Sequence, residues 1–190
     1  MARLPILHGD GVADPDLKSL FHQTKGMGLE KFSHQIGILA HHPALLGAIT
    51  HLFEVYYRES VVPRKYLEMA ILVVSFNNRC DYCVVHHTPL ALEAGLTQPQ
   101  VAAIEGRTWN DGGSFDETER TVLDFALQVS QGGGRIAEST FAALRKTFTE
   151  QQLVELAVRT SMCEFFNRFN EIFQLENEGV AEVLFQQAGS

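Results

Sequence analysis

Residues 64–87 read RKYLEMAILVVSFNNRCDYCVVHH, and this stretch decides how the whole chain is read. From Leu67 to Phe76 the side chains are apolar on almost every side of a helical repeat. A helix over about 64–77 is therefore predicted to be buried all round and central to the fold. Asn77 and Asn78 interrupt the run. A new helix begins near Cys80, passes Pro89 with a kink and stops at Gly95. If the chain turns back on itself at so short a break, a residue ten before the turn faces one about ten after it. That places Glu68 beside His87.

Helical punctuation continues outward in both directions. Asp14-Pro15, His42-Pro43 and Val62-Pro63 each set proline where a first helical turn accepts it. Thr97 with Gln100, and Thr149 with Gln152, have the spacing of capping boxes. From Pro43 the positions Leu45, Ile49, Leu52 and Tyr56 step by helical intervals, and Leu46, Phe53 and Tyr57 widen the stripe. This predicts an amphipathic helix ending near Ser60. Further helices are predicted over about 98–105, 116–131, 138–146, 150–169 and 179–187. Strand alternation is nowhere sustained, so the expected fold class is all-α, a helical bundle. Residues 106–114, with the single tryptophan Trp109, form the one substantial break. Gly132, Gly133 and Gly134 form a shorter one. No strand precedes these glycines and no Lys-Ser/Thr follows them, so they read as a turn between helices rather than a phosphate cradle.

Composition bounds the function. A chain of 190 residues is expected to be one domain, its first half carrying the core of interest at 43–105 and its second half helical over 115–187. With 15 basic and 23 acidic side chains the net charge is −8, which argues against nucleic acid as partner. No apolar run approaches the ~20 residues of a membrane helix, and the N-terminal apolar stretch is too short for a secretory signal. Three cysteines cannot form a fully paired disulfide scaffold. The expectation is a soluble, cytoplasmic protein with no membrane partner.

The chemistry is concentrated in Cys80-Asp-Tyr-Cys83-Val-Val-His86-His87. On a helix Cys80 and Cys83 lie about 60° apart and Cys83 and His87 about 40° apart, so both sulfurs and one imidazole share a face while His86 points elsewhere. Cys80 is expected in the first turn, where the helix dipole favours a thiolate and where solvent and partner thiols reach it. His87 can accept the proton of Cys83, which gives a nucleophile with a base in reach. Glu68, inside an apolar run, needs a partner. An imidazole would satisfy and orient it, and burial should raise its pKa. Other readings stand beside this one. Glu68 could simply pair with Arg64 at i, i+4, as Glu155 could with Arg159. Zinc would need ligands from more than one helix, and Cys80, Cys83, His86 and His87 all crowd one. Both cysteines could be inert core residues, the reading that fits Cys163. His8, His22, His34, His41, His42 and His51 have no ligand spacing among themselves.

An internal echo runs at an offset of 87. Glu68-Met-Ala-Ile is followed twelve residues later by Cys80 and then Cys83, and Glu155-Leu-Ala-Val is followed at the same distances by Asn167 and Asn170. Two related helical units follow, only the first carrying thiols.

Glu68, eleven residues, Cys80-x-x-Cys83, three residues and His87 together resemble the alkylhydroperoxidase D-like group of the carboxymuconolactone decarboxylase superfamily. The resemblance covers about 43–105, through Pro43-Ala-Leu-Leu, Arg64-x3-Glu68, Cys-x-Tyr-Cys, His86-His87 and Ala94-Gly95-Leu96-Thr97. Phe165-Phe-Asn-Arg-Phe-Asn170 is similar to the longer, peroxidase-related members. The resemblance implies an all-α homo-oligomer that reduces a hydroperoxide with a dithiol and no cofactor. Cys83 would attack the peroxide and become a sulfenic acid. Cys80 would resolve it to a disulfide, to be re-reduced by an external dithiol or adaptor protein, and Glu68 and His87 would relay the proton. Tyr82 stands where some members carry a histidine. The decarboxylase branch does not use this dithiol, so lactone decarboxylation is not implied. Two other classes remain beside peroxide reduction: decarboxylation or isomerisation of a small organic acid by Glu68 and His87 alone, and a non-catalytic module whose dithiol is only a redox switch.

Overall fold

The computed structural model describes residues 1–178, and among them there are nine α-helices and no strand. In chain order they are α1 Pro15–Gly26, α2 Ser33–Leu39, α3 Pro43–Glu59, α4 Arg64–Asn78, α5 Asp81–Glu93, α6 Gln98–Glu105, α7 Glu117–Gly132, α8 Glu138–Thr147 and α9 Glu150–Phe173. The helix expected at 179–187 lies outside the described residues. No helix of the described chain is long and apolar enough to cross a membrane.

Most ends fall where the caps put them. The Thr97–Gln100 box closes reciprocally at the start of α6, and Thr149 and Gln152 exchange the same pair of bonds before α9. Asp116 and Glu119 form a third box at α7, and the Asp14 carboxylate takes the N–H groups of Asp16 and Leu17 at α1. Pro63 departs from the expectation. It is the N-cap of α4, one residue before the first turn.

Contacts divide the described chain into two compact units, one of residues 1–60 with 170–178 and one of residues 61–169. In the first, α1 and α2 pack on α3. Arg3 ties the start of the chain to its later part, its N–H donating to the Phe173 carbonyl and its guanidinium to that of Ile172. Gly37 lets the N-terminal segment run directly over α2: a Cβ there would meet the Leu7 carbonyl oxygen at 2.5 Å.

In the second unit α4 is the core. Every residue from Leu67 to Ser75 is buried, and the helix packs against α5, α6 and α7. Met69, Leu72 and Val74 are fully enclosed and meet a cluster including Val122, Leu123, Ala126, Leu144 and Leu156. Each such aliphatic side chain contributes about 1.5–3 kcal/mol relative to exposure. One chain therefore covers α4 by itself. Lys65, at the margin, pairs with the buried carboxylate of Glu119 at 2.5 Å.

Candidate active site

The turn between α4 and α5 is a Schellman closure. The N–H of Arg79 bonds to Phe76 O at 3.2 Å and that of Cys80 to Ser75 O at 3.0 Å, with Arg79 left-handed at φ 56°. This leaves Cys80 as the N-cap of α5 rather than in its first turn. The chain then reverses, and α5 packs along α4.

The reversal brings the candidate residues together in pairs. Cys80 Sγ lies 3.1 Å from Cys83 Sγ. His87 Nδ1 lies 2.9 Å from Glu68 Oε2, the juxtaposition expected from counting residues across the turn. Arg64, the competing partner of Glu68, is present as well: its Nε stands 3.7 Å from Oε1 while its Nη2 reaches Glu93 at 3.2 Å. His86 is buried and turned aside, its Nδ1 at the Tyr82 carbonyl and its ring stacked on that of Tyr82 at 4.1 Å.

Three expectations are corrected here. Cys80 is not accessible: within this chain it is 0% exposed, Cys83 6%, so the helix start is covered rather than open. Glu68 has its pKa lowered, not raised. Burial does push it up, but the His87 charge and hydrogen bond, with Arg159 and Arg64 behind them, outweigh that. Cys83 has its pKa held well above the ordinary thiol value. The hydrogen bond with Cys80 is the largest cause, then burial, then the charges that Cys80 and Cys163 carry when ionised. Lowering it is the donation from Asn167.

The Glu155 carboxylate takes the N–H groups of Val61 and Val62, at 2.8 and 3.1 Å, and so caps the entry to α4. Arg159 adds positive charge near Glu68.

The residue that sequence reasoning left without a role is Asn167. Its Nδ2 donates to Cys83 Sγ at 3.0 Å and also reaches Ser75 Oγ and Cys163 Sγ, at 3.4 and 3.5 Å. Its carbonyl accepts from Asn78 Nδ2 at 3.0 Å. The signal was the 87-residue echo, which aligns Asn167 with Cys80. Cys163 is buried beside it, its thiol pushed up to about 12 mainly by that burial. Among the described residues no three His, Cys, Asp or Glu side chains converge as a metal site would require.

Chemically, the arrangement is a contiguous dithiol next to a carboxylate–imidazole pair. With Nδ1–H given to the Glu68 carboxylate, the basic lone pair of His87 is on Nε2. The dithiol can deliver two electrons by closing to a disulfide, and the Glu68–His87 pair can move the accompanying proton.

Comparisons with known proteins match one segment of the chain and its fold. Residues 43–107 match the carboxymuconolactone decarboxylase family. The protein YdfG of Bacillus subtilis (strain 168) is 23% identical over 118 residues, 62% of this chain and 79% of that protein. The alkylhydroperoxidase AhpD core structure of a peroxidase-related protein from Ralstonia eutropha JMP134 superposes with a TM-score of 0.75 at 21% identity, covering 95% of this chain and 94% of that one. A peroxidase-related protein from Silicibacter sp. TM1040 gives 0.77 at 21% identity over 95% and 94%. The debrominase Bmp8 gives 0.75 at 22% identity over 94% and 93%. The chain thus carries, at residues 43–107, the carboxymuconolactone decarboxylase family segment, set in an all-α fold of the alkylhydroperoxidase core type.

Proposed function

We propose that the chain is a dithiol peroxidase that reduces a hydroperoxide with Cys80 and Cys83. The observation that carries this reading is the 3.1 Å approach of the two sulfurs, which leaves little movement to disulfide formation. Cys83 loses its proton to His87, one turn along α5, and its sulfur attacks the outer peroxide oxygen. The O–O bond breaks, Cys83 becomes a sulfenic acid, and the alkoxide leaves and takes up a proton. Cys80 then attacks that sulfur, water departs, and the disulfide forms. An external dithiol, oxidised in turn, restores both thiols. Glu68 holds His87 in the tautomer that accepts at Nε2 and stabilises the imidazolium once formed.

The test is mass spectrometry of the reduced protein with and without one equivalent of an alkyl hydroperoxide. The expected result is a loss of two hydrogens mapped to the peptide holding Cys80 and Cys83. A chain that stays reduced with peroxide but closes its disulfide on 2,3,4-tribromopyrrole, the compound bound in a Bmp8 structure, moves the reading to reductive debromination. A chain unmoved by either sinks dithiol catalysis.

The subunits are proposed to associate. Helix α4 is covered by its own chain, but Val154, Val158 and Phe165 stand exposed at helical spacing along α9. Sedimentation at micromolar concentration is expected to show a species larger than the monomer. A monomer alone at that concentration removes this part.

A further inference from the structure

Five hydrogen bonds run in one direction toward Cys83. Arg107 Nη2 donates to Asn77 Oδ1 at 2.6 Å, and Asn77 Nδ2 donates to Ser130 Oγ at 2.7 Å. Ser130 Oγ donates to Asn78 Oδ1 at 3.3 Å, Asn78 Nδ2 to Asn167 Oδ1 at 3.0 Å, and Asn167 Nδ2 to Cys83 Sγ at 3.0 Å.

The direction is forced from the far end. A guanidinium has donors only, so Asn77 must turn its oxygen to Arg107. Gln131 Nε2 also donates to the same oxygen, at 3.4 Å. The amide of Asn77 is then left for Ser130, whose single proton passes on to Asn78. Asn78 gives its amide to Asn167, and Asn167 gives its own to the sulfur. Every dipole in the row therefore has its positive end toward Cys83, and a row of aligned hydrogen bonds polarises along its length. The members come from four places in the unit of residues 61–169: the residue after the α6 C-cap, the end of α4, α7 and α9. No single helix generates such a row as a by-product. Asn167 is 1% exposed, a burial that is costly for an amide unless its hydrogen bonds are made.

We propose that Asn167 is the positioning residue of Cys83, and that Arg107, acting through Asn77, Ser130 and Asn78, favours negative charge on that sulfur. The proposal deepens the reading above and rests on Cys83 being the reacting thiol. Among the ionisable groups around the sulfur, Cys80, from the α4–α5 turn, and Cys163, from α9, disfavour its charge and the Asn167 donation opposes them, while His87 lies one turn along α5.

The test is the pH dependence of iodoacetamide alkylation of Cys83, followed by peptide mapping in the reduced Cys80→Ser protein. It requires no peroxide. Adding Asn167→Asp, which exchanges the donor for an acceptor of the same shape, is expected to raise the apparent pKa of Cys83 by about one unit or more. Adding Arg107→Met is expected to raise it by about half a unit, and Arg107→Lys, which keeps a cation and a donor, to restore it. Arg145→Met, which removes an exposed cation outside the row, should leave it in place. An unmoved Cys83 titration in Arg107→Met overturns the role of the row, and Arg107 is exposed, so this arm survives even if the Asn167 variant fails to fold. A shifted titration in a protein that consumes no peroxide keeps the positioning role and ends the peroxidase reading. Peroxide consumption with an unmoved titration does the reverse.

Discussion

Cys83→Ser is expected to form no sulfenic acid with hydroperoxide, whereas Cys80→Ser forms it once and then stops. The asymmetry follows from the surroundings of the two sulfurs. Cys83 has the Asn167 donor at 3.0 Å and His87 one turn further along its own helix, which on the proposed mechanism supply the group that stabilises its charge and the base that creates it. Cys80, at the N-cap, is placed to attack what Cys83 becomes. Turnover should fall to background in both variants, and the single-turnover signal separates them. A dimedone-type trap applied to each reduced variant after one equivalent of peroxide reads that signal. Labelling of Cys83→Ser but not of Cys80→Ser reverses the assignment, and labelling of neither ends peroxide reduction as the function.

The second large effect concerns the proton. Because the Cys83 thiol is held well above its ordinary pKa, very little thiolate is present at neutral pH, and the base must act in the step itself. His87→Ala is expected to slow the first step by about 10²-fold, and Glu68→Gln by about 10-fold through loss of the oriented tautomer. In the unaltered protein the rate should keep rising through pH 9 without a plateau. Stopped-flow oxidation monitored from pH 6 to 10 checks both, and a rate already flat above pH 7 contradicts them. Stability carries a matching signature of opposite sense. The folded-state pKa of Glu68 lies below its ordinary 4.5, so the fold gains from its charge above that value and loses the gain as pH falls through the folded pKa. Glu68→Gln should therefore be less stable than the parent at pH 7, and the gap should close under acid.

The sequence yields the fold where helix ends carry their own chemistry. Thr97 with Gln100 marks the start of α6, and Asp14-Pro15 the start of α1. Helix α2 has no such mark: its N-cap is Phe32, with no side-chain bond to the first turn, and Gly37 interrupts its middle. It is helical because it packs, which no local pattern states. The same division runs through the site. The Glu68–His87 contact joins residues of one helical hairpin, nineteen positions apart, and could be found by counting across the turn. The direction of the Glu68 pKa could not, because it rests on the balance of burial against the His87 charge and hydrogen bond, to which Arg159 adds from a helix far along the chain. Asn167 is 84 residues from Cys83 and announces itself only through the echo of spacing. The burial of Cys80 escapes sequence reasoning for a similar reason, since an N-cap position says nothing of what lies over it.

That burial has a kinetic consequence. A small hydroperoxide can reach a sulfur through brief local openings, but a reducing protein must bring its own thiol into line with a Cys80 sulfur that is 0% exposed in this chain. On the proposed cycle the two halves are expected to be unequal, with the return the slow half. In steady supply of both substrates most molecules are expected to wait as the disulfide, with throughput following the concentration of the reductant rather than that of the peroxide. Turnover measured at several fixed reductant levels reads this directly, and saturation in reductant while peroxide still limits would mean that the α4–α5 turn opens freely.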